Sequence, residues 1–118
     1  MKPVILFILL LFTFNTSNKN NTKSWGKGLA VVQYNADFNK NNSVKNLQRI
    51  SDARIFNAWI DKDPDLKDIG RIKSVPTIIL YNDGEEVRRW EAGIMMKLDI
   101  TQHEIQEYID ELTGADKF

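Results

Sequence analysis

The chain has 118 residues, room for one hydrophobic core and not two. Sixteen lysines and arginines balance sixteen aspartates and glutamates. That balance removes the basic face that a nucleic-acid binder needs, and it gives no electrostatic reason to expect an acidic membrane or a polyanionic substrate. Cysteine is absent and histidine occurs once, at His103, which excludes disulfides, thiolate metal sites, a cysteine nucleophile and a multi-histidine metal centre.

Met1-Lys2-Pro3 is positively charged, and Val4 through Phe12 then runs without a polar side chain. This is the pattern of a secretory signal, residues 1–17, and it predicts an extracytoplasmic location: periplasmic, secreted or membrane-tethered. The run is shorter than the roughly 17–25 residues of a spanning helix. The chain would touch a membrane only if this segment stays uncleaved as an anchor. A buried N-terminal strand is the other reading of the same run. Residues 18–28 are polar and read as a linker, with Trp25 as their one large apolar side chain.

The folded part is predicted over 29–113, with 114–118 as a tail. Leu29 to Tyr34 is an apolar, β-rich run behind Gly26 and Gly28 and reads as a buried strand. Asn41-Asn42-Ser43 offers helix caps, and Val44, Leu47 and Ile50 follow as the stripe of a short amphipathic helix. Ile55 to Ile60 is a second strand. Asp63-Pro64-Asp65 starts a helix with Leu66 and Ile69 on its buried face, and Gly70 is expected to stop it at C′. Thr77 to Tyr81 is a third strand, Asn82-Asp83-Gly84 a tight turn, and Glu86 to Trp90 the hairpin partner. Thr101 and Glu104 make a capping box for a last helix, stopped by Gly114. The order β-α-β-α-β-β-α predicts an α/β domain: a mixed four-stranded sheet with helices on both faces.

With a proline directly before the third strand, this order resembles thioredoxin. Val31-Val32-Gln33-Tyr34-Asn35-Ala36-Asp37-Phe38 is similar to the family's segment leading from a central strand into the active-site helix. Asp61-Lys62-Asp63-Pro64 resembles its D-x-N-P, Ile72 to Thr77 its I-x-x-x-P-T with a cis proline, Tyr81 to Glu85 its hairpin, and Gly93 its glycine beyond the last strand. The resemblance begins at Leu29 and implies a minimal thioredoxin-like fold without the family's extra N-terminal strand and helix. The family's C-x-x-C falls on Asn39-Lys40-Asn41-Asn42, so both cysteine positions are asparagine. Gln33 stands at the family's buried aspartate. An amide is neither a nucleophile nor an electron carrier, so thiol–disulfide chemistry is impossible here.

The resemblance implies a groove at Pro76, where the Val75 backbone could pair with an extended peptide by strand addition. Pro76 also fits a purely architectural role in the turn. Phe38, Asn39, Val75, Pro76 and Gly93 are the candidate binding residues. The Met95-Met96 pair suits an adaptable contact surface, but the leading reading is that Ile94, Met95, Met96 and Leu98 cover the end of the core. His103 reads as a surface residue. Asp61, Asp63 and Asp65 have the D-x-D-x-D spacing of a calcium loop, but Pro64 interrupts it and no glycine stands at loop position six. No cofactor, no metal and no nucleic acid is expected. The leading expectation is a redox-inactive module that binds a peptide or protein. The alternatives are a non-thiol enzyme using Asp37, Lys40 and Lys73 at the same groove, or a permanent accessory subunit.

Overall fold

The computed structural model describes residues 25–114, and the signal-like segment lies outside them. The elements are β1 (Leu29–Asn35), β2 (Arg54–Trp59), α1 (Asp65–Gly70), β3 (Thr77–Asn82), β4 (Glu85–Glu91) and α2 (Gln102–Thr113). The strand order is β2-β1-β3-β4. β1 runs parallel to β2 and antiparallel to β3, and β3 pairs antiparallel with β4, so the sheet is mixed as expected.

Alternation along β1 and β3 divides the core into two layers. On one face Val32, Tyr34, Ile79 and Tyr81 pack with Ala58, Ile72 and Val75, and Leu66 of α1 closes over them. On the other, Val31, Ile78 and Leu80 pack with Ile105 and Ile109 of α2 and with Leu47 and Ile50. Helical elements therefore cover both faces. α2 begins with the reciprocal capping box of Thr101 and Glu104 and ends on Gly114 at φ 77°. The β3–β4 turn places Asp83 and Gly84 at φ 54° and 85°, the two positive angles that a two-residue hairpin requires.

Between β1 and β2 the amphipathic helix expected from Val44, Leu47 and Ile50 does not form. Two 3₁₀ helices, Asp37–Asn42 and Leu47–Arg49, stand there instead. The three-residue spacing of those apolar positions suits the 3₁₀ repeat as well as the α repeat. Asn46 adopts a left-handed conformation at φ 64°, which breaks any continuous helix. Leu47 and Ile50 are buried all the same, so the apolar pattern is right while the element is not.

Three further sets of contacts hold the domain together. Trp25 is held on the domain: it stacks against Phe56 with ring centroids 5.0 Å apart, and its indole N–H donates to the Tyr34 hydroxyl at 3.2 Å. The packed region thus extends upstream of Leu29. Tyr34 and Tyr81 share a 2.6 Å hydroxyl contact, and burial pushes both phenols above their ordinary range. Arg89 stands on β4. It pairs with Glu86 at 2.7 Å and Glu91 at 3.0 Å, and it donates to the Gly70 carbonyl at 2.8 Å, capping α1.

Gly70 is the last residue of α1, and Arg71 takes the left-handed position after it, at φ 51°. Gly70 is there for space. A Cβ would lie 2.8 Å from both the Tyr34 ring and the Ile72 methyl. The Tyr34 ring is fully buried and hydrogen-bonded, so it cannot retreat freely. Gly70→Ala should therefore destabilise the domain, because overpacking costs about 1–3 kcal/mol while the helix-propensity gain offsets at most about 1. Thermal unfolding checks this: the melting temperature should fall by several degrees, and an unchanged value would mean that the Tyr34 ring gives way.

Candidate functional site

β1 ends on Asn35, which is buried, and the first 3₁₀ helix carries Asn39 and Asn42 back over that end. The three carboxamides form one network. The Asn39 Nδ2 lies 3.2 Å from Asn35 Oδ1, 3.3 Å from the Val75 carbonyl and 3.2 Å from the Met96 carbonyl. Its two protons are thus shared among three acceptors. Asn39 Oδ1 accepts from Asn42 Nδ2 at 2.7 Å. Asn35 Nδ2 donates to the Asn39 carbonyl at 3.1 Å and to Ser43 Oγ at 2.9 Å. No buried side-chain nitrogen or oxygen among the described residues lacks a partner. Gln33 is likewise occupied: its Oε1 accepts from the Val44 amide at 2.7 Å.

The Val75–Pro76 peptide is cis. Its turn is laced to the chain after β4: Ser74 Oγ donates to the Ala92 carbonyl at 2.8 Å, and the Ala92 amide donates to the Pro76 carbonyl at 3.2 Å. Gly93 to Met96 then forms a turn closed by the Met96 amide on the Gly93 carbonyl at 3.0 Å. Asn39 thereby ties three segments together: the 3₁₀ helix, the Val75 turn and the Gly93–Met96 turn. Of the expected site residues, Asn39, Val75 and Pro76 are buried, while Phe38 and Gly93 are exposed. The Val75 carbonyl is engaged by Asn39. The Val75 amide has no hydrogen-bond partner among the described residues.

Around this junction the surface is apolar. Phe38 is 72% exposed, Ile94 91%, Met95 76% and Met96 40%. These residues do not cover the end of the core. Leu98 does, packing with the α2 layer. Ile94 is the binding-surface candidate that the sequence reading left with the core, and only its position in an exposed turn distinguishes it.

The other chemical readings find no support in the geometry. The side chains of Asp37, Lys40 and Lys73 are exposed and make no hydrogen bond or ion pair among the described residues. Asp61 accepts from the Asp37 amide and Asp63 from the Asp65 amide, so two of the three carboxylates of the calcium-like spacing turn to backbone. No cluster of three metal-ligating side chains occurs among the described residues. His103 is exposed and lies 3.2 Å from Glu107.

No family model and no curated protein sequence matches the chain. Solved structures do. A mutant thioredoxin from Halobacterium salinarum aligns at TM-score 0.54 and 16% identity, over 80% of this chain and 82% of its own. Schistosoma mansoni thioredoxin aligns at TM-score 0.57 and 19% identity, over 80% and 86%. A malaria parasite thioredoxin-2 aligns at TM-score 0.56 and 17% identity, over 71% and 82%. The fold is thioredoxin-like, and the chain has no cysteine with which to build that fold's redox centre.

Asn39→Ala should therefore cost stability. It strands the Asn42 amide, the Asn35 carbonyl oxygen and two backbone carbonyls, and a buried group left unpaired costs about 1–3 kcal/mol. In urea unfolding the midpoint should drop with little change in slope. A midpoint equal to that of the wild type would show that water replaces the network without loss.

Proposed function

We propose that this chain is a redox-inactive, thioredoxin-like binding module. It holds an extended apolar segment of a partner protein along the Val75 turn. The observation that carries this reading is the exposed apolar surface of Phe38, Ile94, Met95 and Met96 on two loops that Asn39 ties to the Val75 turn. Single exposed apolar residues need no explanation, but four around one junction do. Two methionines give such a surface flexible, polarisable contacts. The unpaired Val75 amide offers a main-chain donor to an extended backbone. The occupied Val75 carbonyl leaves strand addition to rest on that donor and on the apolar flanks.

The same site fits thiol-free binding better than catalysis. A binding surface needs only area and a few backbone groups. Catalysis needs a positioned acid, base or nucleophile, and Asp37, Lys40 and Lys73 form no such pairing. The charge-free run at Val4–Phe12 behind Lys2 supports export of the module.

Two outcomes follow. Extended apolar peptides that bind the full chain should shift the Val75 amide and the Met95 and Met96 methyl resonances. Phe38→Ser combined with Met95→Ser should weaken that binding at least tenfold, about 1.4 kcal/mol. Both residues are exposed, so stability should change by less than about 0.5 kcal/mol per site. Undiminished binding in the double variant would remove this surface from the reading. Separately, residues 1–27 fused to a reporter should carry it out of the cytoplasm. A reporter that remains soluble inside would end the export reading.

A further inference from the structure

We propose that a pocket on the α2 face of the sheet, at the β2 edge, binds one neutral monosaccharide. The pocket lies between β1, β2 and the segment that replaces the expected helix, and it holds about 280 Å³. Pockets that bury drug-sized molecules begin at about 300 Å³, so this one has room for a single small ring and not for a nucleotide or an oligosaccharide. It shares no residue with the Phe38–Val75–Gly93 surface, and either proposal can fail alone.

The lining decides the ligand class. No charged side chain lines the pocket. An anion or cation would find no opposite charge there. What lines it instead is a set of neutral groups that both donate and accept: the carboxamides of Gln33, Gln48 and Asn57, and the Ser43 hydroxyl. Gln33 is 3% exposed and forms the base. Its Oε1 is held by the Val44 amide, but its Nε2 makes only long contacts, 3.4 Å to the Val44 carbonyl and 3.5 Å to Asn57 Oδ1. At those lengths its protons are poorly used. The Gln48 side chain and the Asn57 Nδ2 have no partner among the described residues.

Register brings these groups to one place. Gln33 pairs with Asn57 across the parallel β1–β2 ladder, and Trp59 follows two residues on, on the same face. Trp59 is half-buried and supplies a flat indole wall, while Leu47 and Ile55 supply apolar floor. A pyranose has this complementary form: an apolar C–H face to lie on an indole, and hydroxyls around its perimeter that each donate and accept. A nucleobase carries its polar atoms only on the ring edges, in one plane. It would leave part of the surrounding carboxamides, the buried Gln33 among them, without a ligand partner.

The test is an NMR titration of the uniformly ¹⁵N-labelled full chain with glucose, galactose, mannose and N-acetylglucosamine. At least one should shift the Trp59 indole N–H and the Gln33, Gln48 and Asn57 carboxamide signals in a saturable way, at the millimolar concentrations fitting a single small ring. Gln48→Ala, at an exposed position, should raise that dissociation constant at least threefold, and Trp59→Leu should abolish saturation. If Trp59→Leu does not fold, Gln48→Ala decides alone. Absence of saturable shifts with all four sugars up to about 100 mM, beyond the range of a weak single-ring site, overturns the proposal. So does an unaltered constant in Gln48→Ala, or saturation by uracil or adenine in place of the sugars.

Discussion

β1 is buried on both sides, and its last residue is polar. Val31, Val32 and Tyr34 are wholly enclosed between the two core layers, and the chain then delivers Asn35 to the same interior. A carboxamide in that position must find partners, because an unpaired buried amide costs more than one hydrogen bond returns. It finds them in Asn39 and Ser43, and Asn39 in turn needs Asn42, the Val75 carbonyl and the Met96 carbonyl. The first 3₁₀ helix, the Val75 turn and the Gly93–Met96 turn are positioned by that requirement. The sequence resemblance to thioredoxin aligns the family's thiol pair with Asn39 and Asn42. Here the same place is closed by neutral amides.

The consequence for function runs through charge and reactivity. Carboxamides do not titrate, transfer electrons or attack carbonyl carbon, so the junction is chemically silent. It is mechanically demanding, because one side chain holds three segments. The network also joins the segments around it: Phe38 and the Met95–Met96 turn are exposed on the segments that Asn39 ties to the Val75 turn.

Much of the fold was legible because its signals are local and redundant. The capping box at Thr101 and Glu104, the Asp83-Gly84 turn and the apolar runs of β1 and β3 each specify their element without help from elsewhere. The region between β1 and β2 was not legible in the same way. Val44, Leu47 and Ile50 fit two helical periods equally, and the choice fell to Asn46 in its left-handed conformation and to Gln33 holding the Val44 amide. Gly70 is the opposite case: its type suggests a chain stop, while the contact that requires it comes from Tyr34, 36 positions earlier in the sequence. At the site, the positions of Asn39 and Asn42 came from the resemblance, but their role did not. Read as lost cysteines they mark an absence. Only the distances to Val75 and Met96, far along the chain, reveal a structural network.

The junction of the three segments depends on the Asn39 carboxamide being held as the geometry places it. Hydrogen exchange of side-chain amides, followed by NMR on the full chain, reads this directly. The Asn39 Nδ2 protons should exchange at least about tenfold more slowly than those of the exposed Asn41 and Asn82, the factor that about 1.4 kcal/mol of protection supplies. Exchange of Asn39 as fast as that of Asn41 would show an open, mobile junction and contradict the account.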